Sequence, residues 1–373
     1  MSMLRINKFS IIFLIISYCF LLPIKSLAFE HLFYALRGTD LNHLQSHLAV
    51  LQQIEQQHQK INILVSQAYY IDQHGTVAGK IDPNLLKVAK RYHIRIMPLL
   101  TNLKFSQTLL HQFLHDPQAQ QRTISTILQL CQQKHFYGIQ VDIEHINIID
   151  ARAFTQFYQA LATALHQHHF AISVAVVPTL QPVPPNKVIL ARYNNWSGAY
   201  QLEKLAQYSD FVTLMTYNQN GSYRTGPVAS ISWVKQALTL ALRSVPANKL
   251  SLGIPTYSLY FRPQLVSFPA SPNSDSNLSL PNNNQQTLAI TTGKQISYQN
   301  AQLLLHTQHL HVVWNKKLQI SYAVFEQDNM LHFLFLADQH SFAEKLKLAK
   351  AFHLRGISVF RLGIEDPRIW QFL

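Results

Sequence analysis

Eight short apolar runs, most of them separated by segments of helical period, constrain this chain more than any other feature. They are HLFYAL (31–36), INILVSQAYYI (61–71), IRIMPLLTN (94–102), YGIQVDIE (137–144), FAISVAVVP (170–178), DFVTLMTYN (210–218), KLSLGIPTYS (249–258) and GISVFRL (356–362). The helical segments between them include PNLLKVAKRYH (83–93), FTQFYQALATALHQH (154–168), SWVKQALTLALRSV (232–245) and SFAEKLKLAKAFH (341–353). Strands alternating with helices imply β-α-β units and a parallel sheet. Their near-continuous Val, Ile and Leu content suits strands buried on both faces. Eight of them predict an α/β fold, a closed (β/α)8 barrel rather than an open sheet.

One connection breaks the rhythm. From about Ser258 to Asp338 there is no simple crossover helix. FPASPNSDSNLSLPNNNQQ (268–286) is rich in Ser, Asn and Pro, and a mobile loop is expected there. SYQNAQLLLHTQ (297–308) has a helical pattern, and 311–336 reads as two or three antiparallel strands. Residues 258–338 are therefore expected to form a small α+β insertion between strands seven and eight. The barrel as a whole is expected over 29–373. No internal repeat is present.

The first 28 residues have the organisation of an export signal. Arg5 and Lys8 precede the short apolar run FSIIFLIISYCFLL, Pro23 ends it, and Ser-Leu-Ala closes the segment at Ala28. The run is too short for a comfortable membrane span. Cleavage after Ala28 is expected, with a periplasmic or extracellular destination and no integral span afterwards. It would remove Arg5, Lys8 and Lys25, taking the formal charge from +13 to +10. Cys131 would then be the sole cysteine, so no internal disulfide could form. The positive charge is consistent equally with an acidic partner surface, such as an anionic cell wall or membrane, and with a general bias of the proteome toward basic residues. Nucleic acid is not expected, because no tight Lys/Arg cluster or aromatic-flanked basic motif occurs.

The chain holds only eighteen Asp and Glu, and two stand at alternate positions in the apolar run YGIQVDIE. Side chains alternate along a strand, so Gln140, Asp142 and Glu144 share one face and Ile139, Val141 and Ile143 the other. In a barrel the second set packs on helices and the first points inward. Buried carboxylates are costly unless paired or hydrogen-bonded. Glu144 ends the run, at the mouth where barrel active sites sit. Two neighbouring carboxyls cannot both ionise cheaply, so one keeps a proton that it can donate. A barrel-lining polar pair held by hydroxyl neighbours accounts for the spacing equally well.

YGIQVDIE resembles the DGxDxDxE signature of family 18 glycoside hydrolases, the chitinase-like barrels. Gly138, Asp142 and Glu144 match its glycine, last aspartate and glutamate, while Tyr137 and Gln140 stand at its first two aspartates. LMTYN (214–218) is similar to the family's MxYD motif, with Asn218 for Asp. KLSLGIPTYS resembles its strand seven, and GISVFRLGIEDPRIW its closing strand, with Phe360 where Trp is usual. The insertion matches a small domain that some members carry. The wording around strands seven and eight, and an amide at Gln140, look closest to the branch that trims bacterial peptidoglycan and spore cortex.

The resemblance implies substrate-assisted catalysis, without the second catalytic carboxylate of most glycosidases. Glu144 would protonate the glycosidic oxygen, Asp142 would hold the acetamide nitrogen, and Tyr217 would bond the acetamide carbonyl. Met215 would line the sugar site, Phe360 would form its floor, Asn218 would contact substrate, and Gln140 would donate to Asp142. Among aromatics near strand ends (Tyr69, Tyr70, Trp196, Tyr200, Tyr223 and Tyr257), Tyr257 is the favoured substrate contact. Asn102, ending strand three, could donate to a sugar hydroxyl. The expected activity is hydrolysis of β-1,4 bonds next to N-acetylglucosamine, in peptidoglycan or chitin, by a monomer without cofactor. The alternatives are a catalytically weak or inactive glycan-binding protein and an enzyme for another acetamido sugar. No metal is expected. HQHH (166–169) and HLH (309–311) lack accompanying cysteines, and no HExxH occurs. GTVAGK (75–80) has the wrong spacing for a phosphate loop and is expected as a hairpin-like turn.

Overall fold

Each of the eight apolar runs forms a strand in the computed structural model, which describes residues 29–36, 41–182, 187–269 and 285–373. The expected leader, residues 1–28, and the centre of the Ser/Asn/Pro-rich stretch, 270–284, lie outside the described residues. The strands are β1 (Glu30–Ala35), β2 (Ile63–Ile71), β3 (Leu99–Asn102), β4 (Gly138–Asp142), β5 (Ala171–Val176), β6 (Phe211–Leu214), β7 (Leu250–Pro255) and β8 (Gly356–Phe360). Successive strands pair in parallel, and β8 pairs with β1 through Glu30 and Gly356, so the sheet closes. A two-residue piece, Arg95–Ile96, pairs with β2 just ahead of β3. The fold is a (β/α)8 barrel, as the alternation of strand and helix signals predicts.

Helix starts follow from local chemistry. Asp82 caps the helix Pro83–Arg91 by accepting from the Asn84 amide, with Pro83 in the first turn where no amide is needed. Asp116 does the same for Pro117–Lys134, accepting from Gln118 and Ala119. Two glycines answer to close packing of the barrel. A Cβ on Gly138 would lie 1.8 Å from the Ala171 carbonyl oxygen, and one on Gly356 would lie 2.0 Å from that of Glu30. Both therefore sit where adjacent strands begin side by side.

The outward set of β4 is fully buried, with Ile139, Val141 and Ile143 each 0 % exposed in the shell between strands and helices. Burying side chains of this size stabilises by roughly 1.5–3 kcal/mol each. The inward set meets hydroxyls from neighbouring strands instead. Gln140 accepts from the Tyr34 hydroxyl at 2.6 Å, and its amide nitrogen donates to Ser173 at 3.0 Å and Thr213 at 3.2 Å. Thr213 continues to Ser358, and Ser358 to Ser251. A hydrogen-bonded floor thus crosses the barrel beneath its mouth.

A second, five-stranded antiparallel sheet lies between β7 and β8. Its long hairpin, Ser258–Pro269 against Gln285–Ile296, pairs over twelve residues a side, so the strands reach further into the Ser/Asn/Pro-rich stretch than the composition implies. The helix Tyr298–Thr307 and the strands Val313–Asn315, Ile320–Gln327 and Met330–Leu336 complete it. Residues 75–80 do form a hairpin-like return, because Val77–Gly79 pairs antiparallel with the end of β2. No helix among the described residues is long and apolar enough to cross a membrane.

Candidate active site

Asp142 ends β4 and Glu144 follows two residues on, so strand alternation brings both carboxyls to the barrel mouth. Each is part-exposed. The Asp142 Oδ1 atom is buried without any hydrogen-bond partner. Burial raises both carboxyls above the usual range, and the Glu144 charge raises Asp142 further. Trp196 and His145 act the other way on Glu144 without cancelling the effect of burial. The two groups titrate as a pair that retains a proton at higher pH than an isolated carboxyl would.

The peptide of Glu144 is held on every side. Asn102 accepts from the Glu144 amide and donates to its carbonyl, both at 3.1 Å. The Tyr200 hydroxyl donates to the Ile143 carbonyl at 2.9 Å, and Gln107 donates to that of His145 at 3.1 Å. The side chain is held as well, since the Trp196 indole donates to Glu144 Oε2 at 3.0 Å. Trp196 in turn stacks on His145 with ring centres 5.0 Å apart, and the Arg192 guanidinium covers the indole at 4.6 Å. Locking a reactive side chain through its neighbours is what a preorganised site requires.

Glu144, Trp196 and Arg192 line a cleft of about 210 Å³ together with Met215, Tyr217, Asn218, Tyr257 and Phe360, whereas Asp142 is not on its wall. Past the end of β6 the chain turns tightly. Thr216 and Tyr217 each donate to the carbonyl two residues back, Thr216 bonds the Gly253 carbonyl, and Asn218 takes a left-handed φ of 60°. Met215 and Tyr217 therefore both face the cleft. Phe360 stacks under Tyr217 at 5.1 Å and meets Tyr257 edge-on at 6.2 Å. Thr256 fixes the backbone beyond it by accepting from the Arg361 amide, and the peptide joining Phe360 to Arg361 is cis. Burial first, then Tyr34 and Asp142, push the Tyr217 phenol well above its usual range, so it stays a neutral donor. A larger hollow of about 510 Å³ near Trp314 and Arg368 shares no lining residue with this cleft. Its Asp338 is already committed to Ser321 and Ser341.

Two expected contacts are corrected by this geometry. Gln140 does not donate to Asp142: its amide is occupied by Ser173 and Thr213, and it lies fully buried in the barrel floor, out of reach of a sugar. Asn102 is also buried, and its amide holds the Glu144 peptide rather than facing the cleft. Of the softer aromatic candidates, Tyr257 and Trp196 line the cleft, Tyr200 is buried behind it, and Tyr69, Tyr70 and Tyr223 do not line it. Arg192, Trp233 and Gln295 also line the cleft and carry no signal in the sequence. Gln295 comes from the long hairpin, so the second sheet supplies part of the wall.

Residues 33–365 match the model of glycosyl hydrolases family 18. The chain belongs to this family. As a family 18 member it is a glycosidase. It is 24% identical over 321 residues to the uncharacterized glycosylase YvbX of Bacillus subtilis (strain 168), covering 84% of each chain. It is 25% identical over 313 residues to the cortical fragment-lytic enzyme of the same organism, spanning 82% of this chain and 65% of that protein's length. Among solved structures, the spore cortex-lytic enzyme SleL of Bacillus megaterium QM B1551 aligns with a TM-score of 0.74 at 21% identity, over 92% of this chain and 72% of that one. A chitinase from Chromobacterium violaceum ATCC 12472 aligns at 0.73 and 21%, over 91% and 96%. These two structural likenesses show the same fold.

Proposed function

We propose that this family 18 glycosidase is exported and hydrolyses β-1,4 bonds next to N-acetylglucosamine in peptidoglycan, with the substrate's own acetamide as nucleophile. The observation that carries the reading is the unpartnered, buried Oδ1 of Asp142, two residues from Glu144 at the cleft wall. A buried acceptor without a donor is costly. An acetamide N–H entering the cleft would supply the missing donor.

In this reading Glu144 gives its proton to the bridging oxygen as the C1–O bond breaks. The acetamide carbonyl oxygen bonds to C1 from the other side, and the positive charge spreads over the resulting ring. Asp142 accepts the acetamide N–H and, as its proton is passed up the pair, sets a negative charge beside that ring. The neutral Tyr217 hydroxyl donates to the acetamide oxygen and orients it. Phe360 and Met215 offer an apolar floor for the sugar face. Water then attacks C1, returns a proton to Glu144 and reopens the acetamide.

Peptidoglycan is preferred to chitin on charge. Arg192 lies on the cleft wall over the Trp196 indole, forms no ion pair among the described residues, and feels the charge of Arg224. An anionic glycan strand, with carboxylates on its lactyl and peptide groups, complements such a rim. The names of the cortex-lytic relatives point the same way, and the leader-like first 28 residues support export to where that polymer lies.

The test is digestion of purified sacculi beside chitin oligomers, with mass analysis of the fragments. Release of muropeptide fragments cut next to N-acetylglucosamine is the expected result. Cleavage of chitin oligomers alone would move the substrate to chitin, and binding to both polymers without any release would end the proposal. A finer check uses Trp196→Phe. The indole N–H stabilises ionised Glu144, so its loss should raise that carboxyl further. The alkaline limb of the pH–rate profile is then expected to move to higher pH.

A further inference from the structure

We propose that His111, His115 and Asp150 form a binding site for a divalent transition-metal ion of the zinc class, separate from the cleft. His111 lies in the helix Gln107–Leu114 and His115 is the residue that ends it, one turn further on. The four-residue spacing puts both rings on one side of the helix. Asp150 approaches that side from the start of the helix Ala151–Gln167. Its Oδ1 stands 2.8 Å from His111 Nδ1 and 3.0 Å from His115 Nε2, and its Oδ2 is 3.0 Å from His111 Nδ1. One donor atom from each residue lies within 4.8 Å of the others. Ligand atoms about 2.0–2.2 Å from a tetrahedral zinc ion stand roughly 3.3 Å apart, so modest side-chain shifts would admit the ion.

The burial of the carboxylate gives this cluster its weight. The Asp150 side chain is 2 % exposed, yet no lysine or arginine among the described residues pairs with it. It does no capping work either, because Asn147 caps this turn by accepting from the Ile149 amide. A buried carboxylate facing two imidazoles needs a counter-charge, and a bound cation held by all three side chains would supply it as well as a proton on a ring does. The rings themselves are open, with side chains 48 % and 54 % exposed, so an ion and its remaining water ligands have access. Two imidazoles with one carboxylate favour zinc, copper or nickel over calcium or magnesium, which prefer all-oxygen shells.

The experiment uses the full mature chain, stripped with chelator and titrated with zinc sulfate by calorimetry and by thermal unfolding. One equivalent of zinc is expected to bind and to raise the unfolding midpoint, while magnesium and calcium at the same concentrations leave it unchanged. The double variant His111→Gln/His115→Gln is expected to lose at least tenfold in zinc affinity and to lose the midpoint shift. Asp150→Asn should do the same, and because both histidines are exposed the double variant keeps the test valid if the buried aspartate proves necessary for folding. Zinc binding unchanged in the double variant, or no stoichiometric binding by the wild type, would overturn the proposal.

Discussion

Glu144→Gln is expected to lower kcat on sacculi by about 10²–10⁴-fold, the range that a positioned general acid contributes. The amide has the shape of the acid but no proton to give to the bridging oxygen. Everything that holds residue 144 survives the change. Asn102 and Tyr200 grip backbone atoms, and the amide's oxygen can still accept from the Trp196 indole. Folding should not suffer either. Burial raises the Glu144 carboxyl, so the folded state binds its proton more tightly than the unfolded chain does. Stability from that group is full below the unfolded value and falls as pH rises through the folded one. A neutral glutamine escapes this loss. The unfolding midpoint at neutral pH is expected to equal or exceed that of the wild type. Retained turnover in a folded Glu144→Gln protein would remove the acid from the mechanism.

Asp142→Asn is expected to cost about 10²–10³-fold in kcat, the range for loss of one preorganised charge-stabilising group. Asparagine keeps an oxygen that can accept the acetamide N–H, but it cannot place a negative charge against the ring-closed cation. The pH profile carries a second signature. Repulsion between the two carboxyls helps the pair hold its proton, and the neutral side chain removes that repulsion. The alkaline limb should therefore move to lower pH, opposite to the shift expected for Trp196→Phe. Activity near the wild-type level, or an alkaline limb that stays in place, would mean that Asp142 merely lines the barrel.

The barrel was legible along the chain because its signal is local. A strand buried on both faces must be apolar throughout, and the helices between must repeat at 3.6 residues, so short windows carry the information. The same logic put Asp142 and Glu144 on one inward face, and with the motifs around Tyr217 and Phe360 it located the cleft. The charge and apolar content of the first 28 residues are local in the same sense.

The partners of those residues were decided only when the chain closed. Gln140 meets Thr213, 73 residues away, and Tyr34, 106 residues away, so its amide is committed to the floor and cannot serve Asp142. Trp196 reaches Glu144 from 52 residues downstream, out of the helical turn Tyr193–Ser197, whose short span carries no periodic signal. Asn102 faces the Glu144 peptide because β3 and β4 are neighbours, which no spacing announces. His111 and His115 looked like two more histidines among nineteen until helix packing set a buried aspartate between them. Periodicity specifies which face a side chain takes, whereas the partner it finds there depends on where distant strands and loops arrive.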